Sequence, residues 1–79
     1  MSYSAKVIDE VNVLTLFDLA NHQEGIKIHK SLADKKSIEA AERLFDKGLV
    51  SQKDGGYLTA LGLEAAEHAQ NLFTILTTK

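Results

Sequence analysis

The chain contains no cysteine, which excludes disulfides, thiolate zinc sites and a thiol nucleophile. It has no proline either, and neither a Pro/Ser-rich linker nor a low-complexity segment divides its 79 residues. That length makes one domain, residues 1–79, near the lower end of what a single hydrophobic core supports. The opening Met1-Ser2-Tyr3-Ser4-Ala5-Lys6 lacks the basic and long apolar regions of a signal peptide, and no apolar run approaches membrane-spanning length. A cytoplasmic protein with no membrane partner is therefore expected. Positive charge is not in excess: 9 Lys and Arg stand against 11 Asp and Glu, for a net charge of −2. A nucleic-acid-binding surface usually carries a basic balance.

The distribution of charge is more informative than its total. Residues 1–24 carry Lys6 against Asp9, Glu10, Asp18 and Glu24, whereas residues 25–36 carry Lys27, Lys30, Lys35 and Lys36 against Asp34. If one surface meets an anion, the second segment is the candidate.

Catalytic and metal-binding patterns are missing. His22, His29 and His68 form no closely spaced ligand pair. Glu64 and His68 stand four residues apart on a helical stretch, and a solvated face explains them better than a metal. Ser37 and Ser51 have ordinary structural reasons to exist, at a cap and in a strand. Gly55-Gly56 is followed by Tyr57-Leu58-Thr59 rather than by the Lys-Ser/Thr of a phosphate loop. No enzyme chemistry, cofactor, metal or small-molecule substrate is expected.

Periodicity organises the rest. Val7, Val11, Leu14 and Phe17 recur at helical spacing, with Ile8, Val13, Leu16 and Leu19 widening the stripe, so residues 4–20 read as a helix. Ser4 is the expected N-cap, and Asp9 and Glu10 sit toward the positive helix end. Ile26-Lys27-Ile28 alternates like a short extended piece, with a helical turn expected after it. Residues 36–47 form a second helix capped by Ser37, with Ile38, Ala41, Leu44 and Phe45 inward and Gly48 supplying the left-handed C-terminal position. Residues 49–52 and 57–59 are two strands joined by Lys53-Asp54-Gly55-Gly56, a good hairpin signal. Tyr57 is expected to pack on the core with its hydroxyl wet.

Thr59 then opens a long helix to about Thr77. Leu61, Ala65, Ala69, Leu72 and Leu76 share one of its faces, with Ala66 and Phe73 beside them. The four-three-four spacing from Ala65 to Leu76 fits a packing seam. The expected core comprises Val11, Leu14, Phe17, Ile38, Ala41, Leu44, Leu49, Leu58, Leu61 and Ala65.

Leu44, Lys47-Gly48-Leu49-Val50, Tyr57-Leu58-Thr59 and Gly62 together resemble the back half of winged-helix transcription regulators. There a recognition helix ends in such a pattern, a wing follows, and the next helix begins. The whole chain also resembles a small bacterial family of this length with no assigned activity. The resemblance implies a mainly helical, winged-helix-like fold: helix, short link, helix, β-hairpin wing, long C-terminal helix. It implies a recognition helix at residues 37–47 and a wing tip at residues 52–56. Two features depart from the pattern. The helix before the recognition helix is short or missing, and the outer face of the recognition helix, Glu39, Glu42, Arg43, Asp46 and Lys47, is mixed in charge.

Two functions follow as expectations. A dimeric DNA-binding transcription regulator would place Lys27, Lys30, Lys35, Lys36, Arg43, Lys47 and Lys53 toward double-stranded DNA, with Arg43 best suited to a guanine edge. A protein-interaction or dimerisation module would keep the fold without DNA binding. In either case Ala65, Ala69, Leu72, Phe73 and Leu76 are the expected homodimer surface.

Overall fold

Capped helices and a wing alternate along the chain in the order α1 (Ala5–Leu14), β1 (Ile26–Lys27), α2 (Lys35–Asp46), β2 (Val50–Gln52), β3 (Gly55–Leu58) and α3 (Ala60–Thr77). This computed structural model describes residues 1–20, 25–27 and 34–78, with residues 26 and 27 described by their backbone only. The winged-helix-like order expected from the sequence is the order observed. The helical turn expected after Ile28 falls outside the described residues, as do His22, His29 and Lys30.

Each helix starts where a side-chain oxygen can accept an otherwise orphaned backbone N–H. Ser4 accepts from Val7 in α1, and Thr59 accepts from Gly62 in α3. In α2 the cap is Asp34, accepting from Ser37 at 2.8 Å, one turn earlier than the expected Ser37 cap. A carboxylate takes this role well because it also meets the positive helix end. Asp9 and Glu10 do not serve α1 that way, since neither lies in its first turn.

Helix α1 is shorter than its apolar periodicity suggested. It ends at Leu14 rather than near residue 20, and Thr15 and Leu16 close it with hydrogen bonds back to Val11, Asn12 and Val13. The reason lies across the fold. Gln70 of α3 donates its side-chain amide to the carbonyls of Leu14 and Phe17, at 3.3 and 2.8 Å. Those carbonyls are satisfied outside a helix, and the turn delivers Phe17 into the core.

The stretch from Leu44 to Gly62 is built around a single joint. Lys47 caps α2, Gly48 takes φ 82°, and Leu49 N–H returns to the Leu44 carbonyl while Gly48 N–H bonds Phe45. This is the 6→1 and 5→2 pattern of a Schellman stop. Thr59 then ties three segments. Its N–H donates to the Leu49 carbonyl, its hydroxyl donates to the Gly48 carbonyl, and the same oxygen accepts from Gly62.

The sheet is antiparallel with order β1-β3-β2. Its turn is Lys53 and Asp54 alone. Gly55 and Gly56 belong to β3, where a register shift against β2 puts an extra residue into the strand. Ser51 Oγ accepts the Tyr57 N–H at that bulge.

Val13, Leu14, Phe17, Ala40, Leu44, Val50, Ala66 and Ala69 form the buried cluster, with Val11, Leu49, Leu58 and Ala65 packed on it. Two core expectations are corrected. Leu61 is 53% exposed, because α3 turns Gly62, Ala66 and Ala69 inward instead. Tyr57 is 48% exposed, since the bulged strand points it away from the core.

Candidate interaction surface

Glu10 is the one polar residue buried among the described residues, at 6% exposure. Its carboxylate accepts from Arg43 Nε at 3.0 Å and from Lys47 Nζ. Arg43 Nη2 also donates to the Lys6 carbonyl at 3.0 Å. This cluster clamps α1 to the C-terminal half of α2. Burial pushes the Glu10 carboxyl upward, but hydrogen bonds and charge from Lys47 and Arg43 outweigh it and hold the group below its ordinary 4.5.

A depressed folded-state pKa gives stability that is present above the unfolded value and lost as pH falls through the folded one. Glu10→Gln should therefore flatten the loss of stability on acidification below about pH 4.5. Some acid sensitivity will remain, because the Ser37 backbone N–H likewise holds Asp34 below its ordinary value. Glu10→Ala should cost about 2 kcal/mol at neutral pH, since it leaves the partly buried Arg43 without its carboxylate and with only the Lys6 carbonyl as acceptor. Lys47→Ala should cost less than about 1 kcal/mol, because that side chain is half in water. Urea unfolding at several pH values checks all three.

The clamp bears directly on the expected DNA contacts. Arg43, the candidate for a base edge, has its guanidinium turned to Glu10 and Lys6, and Lys47 shares the same carboxylate. The rest of the outward side of α2 presents Lys35, Lys36, Glu39, Glu42 and Asp46 to solvent. Lys53 is exposed at the wing turn. The Lys27 backbone pairs with Gly55, which brings the start of the basic segment beside that turn. Lys30 lies outside the described residues.

A different surface is apolar. An open groove of about 230 Å³ runs between α1 and the C-terminal half of α3. Ile8 and Val11 form one wall with Tyr3 before them, Leu72, Phe73 and Leu76 form the other, and Ala69 lies at the base. Residues 71–78 are all exposed, and Phe73 and Leu76 reach 59% and 73%. Helix α3 thus outruns the body of the domain.

Of the expected dimer surface, Ala69, Leu72, Phe73 and Leu76 line this groove. Ala69 is also buried in the core cluster, and Ala65 is packed on that cluster within the chain. Sequence reasoning missed the contribution of Tyr3, Ile8 and Val11, because α1 and α3 meet only after folding. Glu64 and His68 are both exposed. Among the described residues no three His, Cys, Asp or Glu side chains are grouped to hold a metal, and no helix is long and apolar enough to cross a membrane.

A mainly helical domain with a wing, an ion-clamped second helix and an apolar groove defines a class of architecture rather than an activity. The chain belongs to a family of unknown function (DUF5669), whose profile matches residues 1–77. No curated protein and no solved structure matches it.

Proposed function

We propose that this is a non-enzymatic protein-interaction module of winged-helix-like design, working through the groove between α1 and α3. The groove itself carries the reading. Beside Asn12 and Thr15 its lining is apolar, and Tyr3, Ile8, Leu72, Phe73 and Leu76 are left open to water together, a surface that monomeric proteins seldom keep without a use. The orientation of Arg43 and Lys47 toward Glu10 supports the same reading, because it occupies the cations best placed on the recognition helix.

An apolar fluorescent dye such as anilinonaphthalene sulfonate tests it. At low-micromolar protein the dye should bind and brighten, and Phe73→Asp should abolish that signal while far-UV circular dichroism stays unchanged. Dye binding that is absent, or unaffected by Phe73→Asp, overturns the reading.

A second reading is electrostatic binding of double-stranded DNA. The pairing of Lys27 with Gly55 favours it, since it brings the basic segment to the wing. Lys35 and Lys36 would then add phosphate contacts from the start of α2. Fluorescence anisotropy at several salt concentrations decides the matter. Changing both lysines to Glu should weaken all sequences alike and flatten the salt dependence by roughly one unit of slope per lost contact. An affinity no tighter than about 100 μM at low salt removes this reading.

A further inference from the structure

The occupant of the groove can be argued from the chemistry of its rim. From Ala69 to Thr78 the chain carries no charged residue, its polar residues being Gln70, Asn71, Thr74, Thr77 and Thr78. A partner chosen by charge would find nothing to pair with there. A second copy meets no like-charge repulsion from this segment when two such ends approach.

Shape points the same way. The patch holds a concave part, the groove, directly beside a convex part, the overhanging end of α3. Ile75 is 71% exposed and is not among the groove's lining residues, so it stands as a knob next to the hole. An isologous interface requires each copy to present both halves of the match in one patch.

The helix end itself also calls for cover. Its last seven residues are exposed, and short helical segments are marginal in water without tertiary packing. Hydroxyl bonds from Thr77 and Thr78 to the carbonyls of Phe73 and Thr74 add to the last turn, where the Thr74 carbonyl already accepts the Thr78 N–H, but bury no apolar area.

We infer that the groove receives the C-terminal end of α3 from a second copy of this chain, reciprocally, to form a two-fold dimer. The inference rests on the groove being the working surface and adds the identity of its partner. At 1.5 Å per residue, the C-terminal half of α3 and the whole of α1 present about 14 and 15 Å of length. With helices about 10 Å wide, that is roughly 300 Å² in plan, against about 800 Å² per partner in a standard interface. The dimer therefore belongs to the weaker, concentration-dependent class.

Sedimentation velocity across low-micromolar to near-millimolar protein is the test, with isotope-filtered NMR on a mixture of labelled and unlabelled chains. The unmodified protein should pass from monomer to dimer as concentration rises. Intermolecular contacts should link the Ile75 or Leu76 methyls to Tyr3 and Ile8. Leu76→Asp should remain monomeric with unchanged helical signal, since that side chain makes little use of its own core. Dye fluorescence per chain should fall as the dimer forms.

A monomer at every concentration that still binds the dye overturns the second copy and leaves the interaction module standing for another partner. A monomer that binds no dye removes both. A dimer untouched by Leu76→Asp, or one whose intermolecular contacts lie elsewhere, overturns the inference as well.

Discussion

Gly62→Ala is expected to destabilise the protein severely, although alanine is the better helix former. Within a helix the exchange ordinarily gains about 1 kcal/mol. Here a Cβ at position 62 would lie 1.8 Å from the Leu49 carbonyl oxygen and 2.8 Å from its carbon. Those atoms are backbone, and the Leu49 oxygen is already held by the Thr59 N–H at 3.0 Å. Relief would require α3 to lift from the joint that Thr59 organises, undoing its hydroxyl bond to Gly48 as well. A loss at or beyond the top of the roughly 1–3 kcal/mol range for overpacking is expected. Gly48→Ala is the contrasting control. Gly48 has φ 82° but nothing near the position of an added Cβ, so it should lose only about 1–2 kcal/mol, from backbone conformation. Thermal melts that rank Gly48→Ala as the more damaging of the two would contradict the close approach at Gly62.

Leu44→Ala is the second large effect. Leu44 is 1% exposed and the largest fully buried side chain among the described residues, and its carbonyl also receives the Leu49 N–H that closes α2. Removing a buried leucine side chain costs about 2–5 kcal/mol, through lost transfer energy and the cavity left behind. At roughly 0.05–0.15 kcal/mol per residue, a domain of this length holds only about 4–12 kcal/mol in total. The variant should melt lower by about 4–8 °C for each kcal/mol lost, and much of the population should be unfolded at warm temperatures. Leu61→Ala, by contrast, should change the melting temperature little. The two leucines are alike in composition and periodicity, and only their exposure separates them. A calorimetric scan with equal shifts for both would show that the core is placed wrongly.

Much of the local architecture was readable from short stretches. Ser4 and Thr59 were identifiable as caps because a cap is decided within three residues by one side-chain oxygen and one N–H. Gly48 was identifiable as a helix stop because no other residue takes a positive φ so cheaply. The Leu44-to-Gly62 pattern was legible as a motif, but not as the joint it is. Its meaning lies in hydrogen bonds from Thr59 to Gly48 and Leu49, across the whole wing. Where the fold departs from local periodicity, a distant contact replaces a local rule. Residues 15–20 keep helical periodicity, yet Gln70 takes the carbonyls at the end of α1. Leu61 keeps the same spacing as the true inner face, yet the close approach of Gly62 to Leu49 rotates α3 so that Gly62, Ala66 and Ala69 point inward.

The candidate site divides along the same line. Leu72, Phe73 and Leu76 were legible as a stripe, since three residues on one helix declare their own face. Tyr3, Ile8 and Val11 were not legible as its opposite wall, because no periodicity within α1 says which helix it will meet. The charge excess of the Lys27–Lys36 region was visible as composition. The engagement of Arg43 and Lys47 was not, since Glu10 lies 33 and 37 residues away from them.

By itself, then, the sequence determined the capped helices, the wing and their order, because each rests on interactions spanning a few residues. Only the tertiary structure decided which cations are occupied, which leucines are buried and where the apolar groove opens. Those outcomes depend on which helix faces pack together, and packing is settled by close contacts such as Gly62 on Leu49 and Glu10 between Arg43 and Lys47.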